Sequence, residues 1–330
     1  MGSAVMVKRS LFPAMCLLPH LLDEEKGYQE IRRWRWRYGT RCPHCTSNKV
    51  VQRGHDHRHP GCQRHHCKKC GKRFDDLTGT IFANRHQPLP VWIADVYLMG
   101  LNLSNRQISQ ELGLNESDGQ AMAEPLRGGI VKRRPKVRMV GVVECDEVYV
   151  VAGHQGRPDR IKGRAPRRRR LKGAPGRGTR AKEKPPVFGM IERGGEVRIA
   201  MRADVKRKTI RPLIEEAIAP GTLVNTDESV IYDALPKWGD LHKSVCHSRG
   251  ESARDEDGDG FHEVHVNTME GFWSLLRSWR RPHRGISQEQ LPIDLGFFEF
   301  VHNVRRRGRA LLGALLDTLL QPEPCPQNPI

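Results

Sequence analysis

The 330-residue chain is short of acidic residues, of aromatics and of long apolar runs. No apolar stretch approaches the roughly 18 residues that a membrane-spanning helix needs, which argues against a membrane protein. Lys8-Arg9 followed by Leu11 to Leu22 imitates a signal peptide, but His20 and the prolines interrupt it. No small-residue cleavage site follows, so a helical N-terminal segment is expected instead. Hydrophobic residues make up 37% of the chain, low but enough for a real core, and the length allows one large domain or several smaller ones. Asp and Glu number 38 against 56 Lys and Arg, leaving a formal charge of +18. That excess points to a polyanionic partner, nucleic acid above all.

Cysteine is not scarce, but it is unevenly used: the nine cysteines are densest around residues 42–70. Cys42-Pro43-His44-Cys45 and Cys67-Lys68-Lys69-Cys70-Gly71 are two knuckles, each able to present two thiolates to one tetrahedral ion. This spacing speaks for a reducing compartment and one structural Zn²⁺ held by Cys42, Cys45, Cys67 and Cys70. Phe74 is expected to pack under the second knuckle. Cys62, His44, His55, His57, His59, His65 and His66 lie nearby and are expected mostly on the surface. Upstream, Ile31 to Tyr38 interleaves Arg33, Arg35 and Arg37 with aromatics. Such a segment suits phosphate contact and base stacking, or else a solvated helix whose tryptophans brace the finger.

Pro88 to Asn102 reads as a helix with Val91, Trp92, Ala94, Val96, Leu98 and Met99 apolar. Ser104 is expected to cap a helix over Asn105 to Leu112, and Ser117 a third running to about Leu126. Helix, cap, Ile108 to Leu112, Gly113 and a second cap make the pattern of a DNA-reading helix-turn-helix. Other three-helix bundles share it. Lys132 to Lys136 then reads as a basic linker.

Val142 to Val151 has the composition of a half-buried strand, with Glu144 and Asp146 on one face and Cys145 and Glu147 on the other. A carboxylate buried there must find a metal ion or an Arg or Lys partner. Residues 153–186 form a basic arm almost without apolar residues, where Arg168, Arg169 and Lys172 are candidate DNA contacts. Val187 to Glu192 and Val197 to Met201 predict a hairpin turned at Gly194-Gly195. Thr209 to Ala219 predicts a helix, Thr222 to Asp227 a strand ending on a carboxylate and then a helical stretch. Asn267 to Arg277 predicts a helix with Phe272, Leu275, Leu276 and Trp279 as its buried stripe. Three carboxylates on the first strand, the fourth strand and a later helix is the arrangement of an RNase H-like α/β fold. There they hold two divalent ions, and hard oxygen ligands select Mg²⁺ or Mn²⁺. Asp255 to Gly260 imitates a calcium loop, but its twelfth position is Val266, so an acidic surface loop is expected. Leu311 to Leu320 is expected to be a helix packing on the domain or on a second copy.

These segments resemble the insertion-sequence DDE transposases, specifically the zinc-ribbon group numbered fifteen ninety-five with its ISXO-type transposase domain. The matching motifs are the paired knuckles, Thr78-Gly79-Thr80-Ile81-Phe82, Val143-Glu144-Cys145-Asp146-Glu147-x-Tyr149 and Val187-Phe188-Gly189-Met190. Thr226-Asp227-x-x-x-x-Tyr232 and Asn267-Thr268-x-Glu270-Gly271-Phe272-Trp273-Ser274-Leu275-Leu276 complete them. The resemblance runs from about residue 10 to 305. It implies Asp146, Asp227 and Glu270 as ligands of two Mg²⁺ (or Mn²⁺) ions, with Arg277 standing where the family often carries Lys. It further implies a retroviral integrase-like catalytic domain that cleaves and joins strands at terminal inverted repeats, working as a homo-oligomer, at least a dimer, on transposon-end and target DNA. The setting would be the bacterial cytoplasm, at the nucleoid. The expected segments are 1–84 (helix and zinc ribbon), 85–138 (helix-turn-helix and linker), 139–305 (catalytic domain) and 306–330 (C-terminal helix and tail). A DNA-binding regulator with an inactive catalytic domain, or a nuclease without strand joining, is the alternative.

Overall fold

The computed structural model describes residues 14–154, 178 and 183–321. Most of the basic arm, including Arg168, Arg169 and Lys172, lies outside the described residues. The chain divides into two compact units: 1–134 together with 307–330, and 135–306.

In the first unit, helix α1 (Ala14–Leu22) leads into α2 (Glu24–Arg35), whose start is capped by Asp23 accepting from Lys26 N at 3.0 Å. Tyr28, Ile31 and Trp34 recur at helical spacing and form its buried face. A three-stranded antiparallel sheet follows, in the order β1 (Val50–His55), β2 (Gln63–Cys67), β3 (Arg73–Asp75). Three helices come next: α3 (Leu89–Gly100), α4 (Asn105–Leu112) and α5 (Glu116–Arg133). Ser104 caps α4 as expected and forms a capping box with Gln107, while Gly113 ends the helix at φ 66°. The cap of α5 is Asn115, which accepts from Asp118 N at 2.8 Å, and not Ser117, whose hydroxyl instead donates to Asn115. This helix runs on through Pro125 to Arg133, so the basic residues Lys132 and Arg133 are its last turn rather than linker. The distant helix α9 (Leu311–Leu320) completes this unit, packing on α1, α2, α3 and α5 with Leu312, Leu315, Leu316, Leu319 and Leu320 buried.

Asp95, on α3, is fully buried and neither of its carboxylate oxygens accepts a hydrogen bond. Burial pushes its carboxyl up to about 7, against the opposing charge of Arg127. A carboxyl raised on folding allows full stability below its unfolded value of 3.8, and that stability is lost as the pH climbs through about 7. The loss reaches at most about 4 kcal/mol. Asp95→Asn is therefore expected to raise the melting temperature of this unit, and to do so more at pH 8 than at pH 5. Equal gains at both pH values in calorimetry would contradict a buried charge.

The second unit is a three-layer α/β arrangement around a mixed five-stranded sheet of order β6-β5-β4-β7-β8. Its strands are β4 (Val142–Tyr149), β5 (Pro186–Glu192), β6 (Val197–Met201), β7 (Leu223–Asp227) and β8 (Leu241–Val245). The first three pair antiparallel, and β7 and β8 continue the sheet in parallel with β4. No α-helix separates Asp227 from β8. Pro236 and Gly239 confine the turn there to a 3-10 segment, Leu235–Trp238, and the chain enters β8 instead. Helix α6 (Arg207–Ala217) covers one face, where Cys145 and Phe188 meet Ile210 and Ile214. Helices α7 (Asn267–Arg280) and α8 (Leu291–Arg306) belong to the core of the other, where Val187 and Ile199 meet Met269, Phe272 and Trp273. The buried stripe of α7 is Met269, Phe272, Trp273 and Leu276, whereas Leu275, expected inside, is exposed. Edge strand β6 is sealed from α8: the Asn303 amide pairs with both backbone groups of Val197, and Glu299 accepts Ile199 N.

Candidate active site and thiolate cluster

In the first unit the sulfurs of Cys42, Cys45, Cys67 and Cys70 all lie within 4.8 Å of one another. Cys42–Cys70 and Cys45–Cys67 are each separated by 3.6 Å. Four thiolates bound tetrahedrally at about 2.3 Å from zinc would stand close to that distance apart, so the donor set fits the ion. The backbone N–H groups of Cys70 and Lys69 turn towards the Cys67 sulfur and hold its thiol below the ordinary value. Phe74 packs under the cluster with Trp36 beside it. Cys62 and His65, expected on the surface, are both buried; His65 stacks on Phe74 at 5.1 Å and meets the edge of Trp36. The cluster is tied to α2 through fully buried Asp76, which accepts from Arg32, Gln63 N and, at 3.4 Å, His65. Arg35 donates to the carbonyls of Asp76 and Thr78, so its guanidinium braces this module. Arg33 is exposed beside Glu30, and Arg37 pairs with Asp317 at 2.6 Å.

In the second unit, β4 and β7 run parallel with Glu144 opposite Asn225, so Asp146 and Asp227 each stand two residues further along the same face. That face meets α7, which carries Glu270. The two carboxylates of β4 have solved their desolvation differently. Glu144 is fully buried and paired with Arg193 at 2.7 Å. Asp146 has no cation among the described residues; it accepts from Trp273 Nε1 at 2.9 Å and from Glu147 N at 2.7 Å. Burial pushes its carboxyl up to about 6, opposed by those hydrogen bonds and reinforced by the charges of Asp227 and Glu270. Asp227 accepts from Ser229 N at 3.0 Å, and Glu270, half-exposed at the start of α7, has His247 Nε2 at 3.9 Å. The three are not a set of oxygens all within 4.8 Å of one another. Their donor chemistry nevertheless fits divalent cations: hard oxygens, and uncompensated negative charge that a cation would relieve.

Gly189 explains how Trp273 reaches Asp146. It pairs with Asp146 across β4 and β5, and a Cβ built there would lie 2.5 Å from Trp273 Cη2 and 2.1 Å from Met269 Cε. Only a residue without a side chain admits the indole. Gly189→Ala is expected to destabilise this unit by about 1–3 kcal/mol through overpacking and to break the Trp273–Asp146 hydrogen bond by displacing the indole, with melting and tryptophan fluorescence as the two readouts. The Trp273 contact could have been suspected from its place three residues after Glu270, one turn along the same helix.

Arg277 is exposed, two turns beyond Glu270 on α7. The oxygens of Asp255, Asp257 and Glu263 approach within 4.8 Å. Asp255 there accepts the loop's own Gly258 and Gly260 N–H groups, as expected of a surface loop.

A family model described as the ISXO2-like transposase domain matches residues 138–303. A Halobacterium salinarum protein, "Uncharacterized protein in transposable element ISH50", is 33% identical over 307 residues, covering 91% of this chain and 98% of that protein. Among solved structures, the simian T-cell lymphotropic virus intasome in complex with PP2A regulatory subunit B56 gamma aligns with 62% of this chain and 67% of that chain, at 9% identity and a TM-score of 0.27. So low a score carries no argument. Among the described residues no helix is long and apolar enough to cross a membrane.

Proposed function

The chain belongs to the ISXO2-like transposase family, and from that premise we propose that it grips the terminal inverted repeats of a bacterial insertion sequence and cleaves and joins DNA strands there. The observation that carries this is the set of three carboxylates, Asp146 on β4, Asp227 at the end of β7 and Glu270 on α7, with Asp146 half-buried, cation-free among the described residues and raised by desolvation first and then by the charges of the other two. The strand order, three antiparallel strands extended by two parallel ones, supports an RNase H-like, retroviral integrase-like fold. Ligands at the carboxyl end of a strand such as Asp227 suit it.

Asp146, Asp227 and Glu270 would hold Mg²⁺ or Mn²⁺, two per site. Ions so held activate an attacking oxygen and stabilise the leaving oxygen of a phosphodiester. Trp273 keeps Asp146 in one orientation, and Arg277 offers its guanidinium to a phosphate near Glu270. Water would attack first, releasing a 3′-hydroxyl; that hydroxyl would then attack target DNA, displacing a second 3′-oxygen.

The paired caps and short turn of α4 and α5 support a helix-turn-helix, and the thiolate cluster supports one structural zinc. The first turn of α5 is acidic, with Glu116 and Asp118, so phosphate contacts fall to basic residues elsewhere, such as Arg33. The functional segments are proposed at 1–84, 85–138, 139–305 and 306–330. Joining two ends requires at least two copies, acting on DNA in the cytoplasm.

The test is cleavage and joining of a labelled transposon-end duplex by the full-length protein with Mg²⁺. Cut and joined products are expected. Tight DNA binding without chemistry, in Mn²⁺ as well, would point to a regulator; nicking without joining, to a nuclease.

A further inference from the structure

Glu144 stands two residues before Asp146 but is walled off from solvent and engaged on every side. Helix α7, which delivers Glu270, begins at Asn267 with no side-chain cap from Val266. Of its first backbone N–H groups that of Asn267 meets His265 Nδ1 at 3.3 Å, while the next ones lack intrahelical partners at the positive end of the helix. Glu144 supplies what is missing, from another element 125 residues away: its Oε2 accepts Met269 N at 2.9 Å. Its Oε1 accepts Thr268 Oγ1 at 2.8 Å and Arg193 Nε at 2.7 Å. Arg193 then reaches past Glu144 to the carbonyls of Glu263, at 2.6 Å, and His265, at 3.0 Å. Asn225 on β7 faces the same two carbonyls at 3.4 Å each.

We infer that Glu144 is a positioning residue: with Arg193 it clamps the first turn of α7 to β4 and so sets where Glu270 sits relative to Asp146. The inference rests on the reading of Asp146, Asp227 and Glu270 as metal ligands. Three considerations favour a positioning role over simple core filling. The bonds fall on residues 268 and 269, immediately before Glu270, rather than along the packed length of the helix. The acceptor lies on the strand that carries Asp146, so one side chain references two ligands to each other. The Arg193 guanidinium contacts the carboxylate and both carbonyls of the incoming segment at once, which fixes rotation as well as distance. Groups that orient ligands from behind commonly change metal affinity by about 10–100-fold when removed.

The experiment is a Mn²⁺ titration of the full-length protein followed by water-proton relaxation, well below the melting temperature. The relevant binding is the part removed by Asp227→Asn. Glu144→Gln is expected to weaken it about 10–100-fold, and the milder Thr268→Val, which loses one hydrogen bond, about threefold. Leu295→Ala, in the same core but outside the clamp, is expected to lower melting while leaving this affinity within about twofold of wild type. Hydrogen exchange at the Met269 amide, read without metal, is expected to accelerate in both clamp variants. Wild-type affinity and protection in folded Glu144→Gln would overturn the inference, as would equal weakening by Leu295→Ala. If Glu144→Gln does not fold, Thr268→Val decides by the same two readouts. Absence in the wild type of any Mn²⁺ binding sensitive to Asp227→Asn would overturn the ligand reading itself, and the inference with it.

Discussion

Asp146→Ala is expected to abolish strand cleavage and joining by at least about a thousandfold, equivalent to roughly 4 kcal/mol of transition-state stabilisation. Binding to the transposon end should stay within about twofold, because Asp146 is a half-buried acid and contributes nothing attractive to phosphate. The same substitution removes a desolvated carboxylate with like charges nearby, so the metal-free variant should be no less stable than wild type above pH 6. Loss of activity with preserved or increased stability is a combination that misfolding does not produce. Labelled-end cleavage, gel-shift affinity and calorimetry on the same preparations would check it. Substantial cleavage by the variant would remove Asp146 from the chemistry.

Removal of the proposed zinc is expected to have the second large effect. The sulfurs of Cys42, Cys45, Cys67 and Cys70 are the centre of a very small apolar cluster, with Phe74 as its buried hydrophobic partner and Trp36 and Val50 around it. Structural zinc contributes about 10–16 kcal/mol in modules of this kind, as much as a whole domain's net stability. Strong chelation, or Cys42→Ser, is therefore expected to unfold β1 to β3 and weaken end binding by at least about a hundredfold. Because Asp76 links the module to Arg32 and His65, melting of the first unit should fall as well. The second unit, which contains none of these ligands, should melt unchanged. One zinc per chain by metal analysis, lost together with DNA binding, is the expected result. DNA binding that survives complete zinc removal would show that the cluster has no part in it.

Much of this architecture was legible because local chemistry decided it. The alternation of Glu144, Cys145, Asp146 and Glu147 assigned faces correctly: Cys145 lies in the core with α6, and Tyr232 donates to Glu147 at 3.0 Å on that side. Ser104 and Gly113 marked the ends of α4, since capping depends on neighbours three or four residues away. Where competing local signals were present, the choice went astray. Asn115 and Ser117 are both good caps, and only the Asp118 contact separates them. Leu275 and Trp273 differ by half a turn, and the indole goes inside because Gly189 makes room from another strand. Strand β8, Leu-His-Lys-Ser-Val, has little apolar signal because it is an outer strand. The partners of Glu144 could not be read at all, being 49 to 125 residues distant.

Helix α9 belongs to a unit whose other described helices end at Arg133. During synthesis, the first unit therefore waits, incomplete, until Leu320 has been added. At about 5–20 residues per second that interval is on the order of ten seconds or more. The contiguous sheet unit made in between can close first, so the order of completion is the reverse of the order of synthesis. Until then the face around Gly100 and Gly129 lacks its cover of Leu311, Leu315 and Leu319, and the nascent chain is most open to chaperones and proteases over that interval.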